Sequence, residues 1–162
     1  MVDIAQFREA MGHFASGVTV VTVSDGEGGV GGLTANAFSS LSLEPPLVLI
    51  CVDNLSKARE YLDREQAFTV HFLGDHQEEV ALAFARRGPD KADGVDWNLS
   101  ARGTPVLADY LVALECQMEN AMEGGDHMII VGRVLDIRTA GTERPPLTYY
   151  RGQINALVPK DS

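Results

Sequence analysis

The sequence predicts a mainly β fold with a few helices, arranged as an antiparallel barrel. Three observations carry this expectation. There are apolar or β-branched runs of strand length at 18–23, 47–53, 67–73, 110–121 and 127–138. Short turns separate several of them, and helical spacing is confined to a few short stretches.

Taken in order, Asp3 can cap a first helix. Ile4, Phe7, Met11 and Phe14 fall on one face of it, and Gly17 ends it. Residues 18–23 are β-branched throughout and read as strand. Residues 24–32, SDGEGGVGG, read as a turn. Gly26, Gly28 and Gly31 match a dinucleotide-binding glycine pattern literally. That motif needs a helix to begin at once, and Leu33-Thr34-Ala35-Asn36 followed soon by Pro45-Pro46 is not one, so the stretch is read as a hairpin.

The most distinctive stretch is 32–58, GLTANAFSSLSLEPPLVLICVDNLSKA. Small and hydroxyl-bearing residues run to Ser42, Glu44-Pro45-Pro46 makes a stiff corner, and an apolar run from Leu47 to Val52 follows. Small side chains let a flat ligand approach the backbone. Ser56 can cap a helix starting at Lys57, and a helix start favours an anion. An ordinary buried hairpin with a polar turn would explain the same residue types.

Two short helices are expected near 56–63 and 76–87, and a loop over 88–105 anchored by Trp97. The runs at 110–121 and 127–138 form a hairpin around Gly124-Gly125, with a bend or bulge at Gly132. The whole chain, 1–162, is expected to be one domain with a tail frayed from about residue 158.

A net charge of −10 argues against nucleic acid and against an anionic membrane surface. Any anionic ligand must be met by cations gathered locally, with Lys57, Arg59, Arg86, Arg87 and Arg151 as candidates. No apolar run approaches the ~18 residues of a membrane span. The N-terminus lacks a continuous apolar stretch, and Cys51 and Cys116 form no paired motif, so a cytoplasmic setting with reduced thiols is expected.

The segment 32–58, together with FASGVTVVT at 14–22, FTVHFL at 68–73, GDHMIIVGRV at 125–134 and LTYYRG at 147–152, resembles the flavin-reductase-like family in the same order. The likeness runs over roughly residues 5–155. These are the short flavin reductases that feed two-component monooxygenases. The resemblance implies a Greek-key split barrel of about six strands that works as a homodimer. It implies hydride transfer from NADH or NADPH to FMN or FAD, and release of diffusing reduced flavin to a partner monooxygenase.

It also implies a site. The backbone near Thr34, Ala35 and Asn36 would face the isoalloxazine edge, with Ser39 and Ser40 toward the ribityl chain or phosphate; a hydrophilic strand end is the plain alternative. Asn36 and Ser39 stand where the family varies. Cys51, with Val52, is a packing contact to the flavin and not a nucleophile. Asn54, Ser56 and Lys57 form the loop that enters a helix and could hold phosphate, unless they are merely its cap. Phe84 and Arg87 would border the phosphate or adenosine part, although cations also suit a helix end.

His127, in Gly125-Asp126-His127, is the implied catalytic residue on the nicotinamide side; the alternative is an exposed turn histidine. Tyr149, Tyr150 and Arg151 are the implied nicotinamide contacts, or else an aromatic interface with a surface arginine. His71, Asp75, His76 and Glu79 lack metal-site spacing and no metal is expected. His71 falls in an apolar strand where the family usually carries Asn. Serine-hydrolase chemistry lacks its positioning motif. The alternatives to an enzyme are a flavin-binding protein of the same fold without turnover, and a ligand-free structural dimer.

Overall fold

A computed structural model describes residues 1–157, so the expected fraying from residue 158 lies outside the described residues. Asp3 caps α1 (Ile4–Gly12), its carboxylate accepting from the Gln6 N–H at 3.0 Å. The helix stops at Gly12 with His13 as its C-cap, earlier than the expected Gly17. The cause is pairing: Ser16 and Gly17 form β1 (Ser16–Gly17), drawn out of the helix by Tyr149 and Thr148. No residue of α1 is buried, and the side chains of Ile4, Phe7, Met11 and Phe14 remain exposed.

Next come β2 (Thr19–Ser24) and β3 (Val30–Ala35), paired from Ser24–Val30 to Thr19–Ala35. The turn between them is tighter than the expected 24–32. The Asp25 carboxylate accepts from the N–H groups of Glu27 and Gly29, both at 2.8 Å, which closes the turn and leaves Gly31 and Gly32 in the strand. Across the proline corner, β4 (Phe38–Ser42) pairs with β5 (Leu47–Asp53). Then follow α2 (Lys57–Glu65), β6 (Ala67–Phe72) and α3 (Glu78–Ala85).

The stretch expected to be loop contains β7 (Trp97–Leu99), which pairs with β8 (Pro105–Leu107). Trp97 packs on the core as its anchor. The long hairpin is β9 (Val112–Gly124) and β10 (His127–Thr139). A second hairpin, β11 (Leu147–Tyr150) and β12 (Gln153–Ala156), was not expected; its strands are only four residues each.

The main sheet has seven strands rather than about six, in the order β3-β2-β6-β9-β10-β5-β4, and all its pairings are antiparallel. Its two edge strands, β3 and β4, are consecutive in sequence, so the sheet curls back toward its own beginning. One apolar cluster fills the interior, with Ile50, Val52, Leu62, Phe68, Val70 and Ile130 fully buried. A second, around Val20, Leu73, Phe84 and Leu147, lies between the sheet and α3. Strand β2 feeds both, Val21 and Val23 to one and Val18 and Val20 beside it to the other. This explains its unbroken β-branched run. The expected irregularity at Gly132 is present as a register shift between Val131 and Gly132. A Cβ at Gly132 would stand 2.6 Å from the Phe68 ring, so the strand bends where Phe68 fills the barrel.

Candidate functional site

The site is built where β3 leaves the sheet. The Thr34 hydroxyl donates to the Ala81 carbonyl at 2.5 Å, tying β3 to α3. Beside that tie lies a cleft of about 590 Å³, walled by Thr34, Asn36, Ala81, Tyr149, Gln153 and Asn155. A second cleft of about 350 Å³ is walled by Thr34, Ser56, Lys57, Phe84, Arg87 and Lys91. Thr34 and Ala85 line both, so the two make one groove over α3.

The two ends differ in charge. The chain carries −10 overall, yet Lys57, Arg86, Arg87 and Lys91 meet around the second cleft, with Asp53 as the carboxylate among its lining residues. Lys57 pairs with Glu60 at 2.7 Å, and that hydrogen bond raises the lysine above its ordinary value. Lys91 donates to the Gly32 carbonyl at 3.1 Å, and burial pushes its ammonium below its ordinary value. Ser56 stands at the N-cap of α2 in extended conformation, but its hydroxyl makes no capping bond, contrary to the sequence expectation. Hydroxyl and helix start therefore remain available to an anion at the cleft.

Several expected residues face elsewhere. Ala35 and Val52 put their side chains into the barrel core, which leaves only their backbone for a ligand. Cys51 alternates to the opposite face of β5 and is half-buried. Ser39 and Ser40 lie on exposed β4, where the Ser39 hydroxyl donates to the Ser40 carbonyl at 3.0 Å. Phe84 is fully buried and contributes the floor of the second cleft.

Asn54 is engaged through both ends of its side-chain amide and its backbone N–H. Its side-chain amide donates to the Gly125 carbonyl at 3.3 Å and accepts from Arg59 at 2.8 Å, and its N–H donates to the Asp126 carbonyl at 3.0 Å. It thus clamps the loop entering α2 to the turn that carries His127. His127 lies opposite Asp53 in the sheet and pairs through Nδ1 with Asp126 at 2.7 Å. That hydrogen bond holds the Asp126 carboxyl below the usual carboxylate range.

Of the C-terminal trio, Tyr149 lines the first cleft. Tyr150 instead meets His13 edge to face at 6.4 Å, and the Arg151 N–H donates to the Gly12 carbonyl at 2.9 Å. His127, Tyr150, Arg151, Ser39, Ser40 and Cys51 are outside both clefts of their own chain. Lys91, Gln153 and Asn155 are wall residues that sequence reasoning missed. Lys91 sits in an irregular stretch without a spacing signal. Gln153 and Asn155 follow the Arg151-Gly152 turn, which could have announced a hairpin.

The departure at position 71 has a structural answer. Nδ1 of His71 lies 3.0 Å from the Val20 carbonyl and Nε2 accepts from the Leu107 N–H at 3.1 Å, so the ring is a satisfied core group that lines neither cleft.

Residues 11–157 match the flavin reductase like domain. The chain belongs to this family. It is 38% identical over 158 residues to the reductase subunit HsaB of a flavin-dependent monooxygenase from Rhodococcus jostii (strain RHA1), covering 98% of this chain and 80% of that protein. It is 36% identical to an NADH:riboflavin 5'-phosphate oxidoreductase from Streptomyces pristinaespiralis, over 94% of this chain and 88% of that one. Among solved structures, the NADH:FAD oxidoreductase SgcE6 of Streptomyces globisporus C-1027, in complex with NAD and FAD fragments, superposes with a TM-score of 0.91 at 37% identity, covering 99% of this chain and 96% of the other. The split-barrel and flavin-reductase expectations drawn from the sequence are thereby borne out.

Proposed function

We propose that the protein is an NAD(P)H:flavin oxidoreductase that passes reduced flavin by diffusion to a partner monooxygenase. The carrying observation is the single groove, which has a roomy end at Tyr149 whose one charged lining residue among the described residues is Glu78, and a cationic end at Lys57, Arg87 and Lys91. A flavin matches that polarity: a flat ring at one end and phosphate at the other. The redox chemistry there is hydride acceptance by the flavin ring from a reduced nicotinamide.

The chain's own residues do the holding. The Ser56 hydroxyl, the start of α2, Lys57 and Arg87 take the phosphate. The Thr34–Asn36 backbone lines the ring edge, and Phe84 floors the cleft. Tyr149 and His127 orient the nicotinamide, and fixing two rings in contact supplies much of the rate.

We further assign a homodimer. The exposed apolar face of α1 and the exposed strand β4 support this, since such faces gain by being covered. A second copy over β4 and β10 would add Ser39, Ser40, Cys51 and His127 to a shared site. The whole chain acts as one domain, because β2 contributes to both apolar clusters. The free thiols of Cys51 and Cys116 suit the reducing cytoplasm.

A flavin-binding protein without turnover is the second reading, favoured by the position of His127 outside its own groove. Steady-state oxidation of NADH and NADPH, each with FMN and FAD, decides between them. Catalytic loss of nicotinamide absorbance with one pair is expected. Tight flavin binding with no turnover in any of the four pairs would support the second reading. Light scattering tests the assembly, and a monomer that reduces flavin would overturn it.

A further inference from the structure

Two lysines stand at the cationic end of the groove, and the fold treats them differently. Lys57 is exposed and carries its own counter-ion, Glu60 at 2.7 Å. Lys91 is half-buried, and its Nζ donates to the Gly32 carbonyl at 3.1 Å. It lines the second cleft and also a smaller one of about 160 Å³ beside Gly31, Gly32 and Tyr61. Asp25, Glu27 and Asp53 border these two clefts. Asp25 is turned to the N–H groups of Glu27 and Gly29, and Asp53 to the Leu55 N–H at 2.8 Å. Among the described residues, no carboxylate pairs with Lys91.

We propose that Lys91 is an acylation site: an acyl phosphate seats its phosphate on Lys57, Arg86 and Arg87 in the second cleft and transfers its acyl group to Nζ of Lys91. The modification goes beyond the flavin-reductase reading, and only its effect on flavin rests on that reading.

A lysine attacks carbonyl carbon only as the neutral amine, and burial without an anion favours that form. Burial pushes the Lys91 ammonium below its ordinary value, whereas the hydrogen bond to Glu60 raises Lys57. The amine lone pair forms a bond to the acyl carbon, and the bond from that carbon to the phosphate oxygen breaks. The bonding pair and one amine proton leave with inorganic phosphate. The product amide keeps one N–H for the Gly32 carbonyl. The cations select this class of donor because its reacting carbon is one oxygen away from the phosphate. A coenzyme A thioester carries its phosphates far from its acyl group. Acylation removes the positive charge of Lys91 and so switches off part of the phosphate end.

The test is timed labelling of the full chain with acetyl phosphate, with the occupancy of each lysine read by peptide mass spectrometry. Lys91 is expected to label at least about tenfold faster than Lys57. Arg86→Gln combined with Arg87→Gln should slow Lys91 by about fivefold or more with acetyl phosphate, but not with the N-hydroxysuccinimide ester of acetic acid, which brings no phosphate. Inorganic phosphate should compete with the first reagent only. Equal labelling of Lys57 and Lys91 overturns the proposal, as does a double variant that labels like the wild type with acetyl phosphate. In fluorescence titration, the labelled protein and Lys91→Gln should both bind FMN at least about fivefold more weakly, with riboflavin held within about twofold. Unchanged FMN affinity in fully labelled protein overturns the switch. If neither flavin binds the unlabelled chain, the flavin-reductase reading fails, and the labelling ratio still decides the acylation site.

Discussion

The backbone N–H of Leu107 donates to Nε2 of His71 across 3.1 Å. With Nε2 occupied as an acceptor, the proton resides on Nδ1, which donates to the Val20 carbonyl at 3.0 Å. A neutral imidazole thus links β2, β6 and β8 inside the fold. Burial pushes its protonation down from 6.5 to about 4, against the opposing pull of the Val20 carbonyl.

The first prediction follows from that ring. Between 6.5 and about 4 the unfolded chain binds a proton that the folded chain refuses. Stability from this group is therefore complete above pH 6.5 and is lost as pH falls toward 4, by roughly 3 kcal/mol. His71→Asn keeps one donor and one acceptor but does not titrate. Urea midpoints measured across this range should slope with pH in the wild type and slope less in the variant. Identical acid slopes would show that His71 is not the group responsible.

Glu115 supplies the second. It is 1% exposed and accepts from Arg138 at 2.6 Å, Ser100 at 2.7 Å and Thr104 at 2.8 Å. Arg138→Met leaves that carboxylate unpaired and should destabilise by about 3 kcal/mol, the lower end for a broken buried pair because the arginine is partly exposed. Thr104→Val should cost about 1 kcal/mol. Equilibrium unfolding in urea measures both, and Arg138→Met matching the wild type would remove the pair from the stability account.

Ser56→Ala should weaken FMN binding by about 1–2 kcal/mol, the range for a hydrogen bond to a charged group. Ser40→Ala is expected to do the same through the dimer, because Ser40 lies outside the groove of its own chain. Fluorescence titration reads both. Full affinity in Ser56→Ala rules out the start of α2 as the phosphate seat; full affinity in Ser40→Ala alone removes β4.

His127→Ala should leave flavin affinity within about twofold and lower the rate of hydride transfer ten- to a hundredfold, roughly 1.4–2.8 kcal/mol of transition-state stabilisation. Stopped-flow reduction of pre-bound flavin by NADH measures the step directly. A loss confined to nicotinamide KM means uniform binding, whereas a loss in kcat places the imidazole at the moment of transfer. Equal rates across pH make His127 a turn residue.

The fold was largely readable because its long elements are strongly patterned. The β-branched run into Ser24, the apolar run through Leu47–Val52 and the β9–β10 pair all leave a clear trace. Short elements left less: β7, β8, β11 and β12 hold three or four residues each, too few for a strand period to show in the sequence. The groove was readable where one segment supplies its lining, at Thr34 and from Ser56 to Lys57. It was not readable where the wall is assembled from afar. Lys91 reaches the groove by donating to Gly32, 59 positions earlier in the chain. Ser56 shows the limit of local rules: it occupies a cap position without capping.

Gly31 and Gly32 sit side by side, and an added Cβ would strike the Tyr61 ring at the first and the Val21 carbonyl at the second. Backbone cannot yield as a flexible side chain can. In a randomised library selected for new flavin analogues, position 32 should return glycine alone, and position 31 should change only together with Tyr61. Arg86 and Arg87, exposed at the second cleft, carry no such steric constraint. The enzyme's capacity to acquire new ligands is therefore lopsided: one bank of the groove is open to change and the other is fixed by two missing methyl groups.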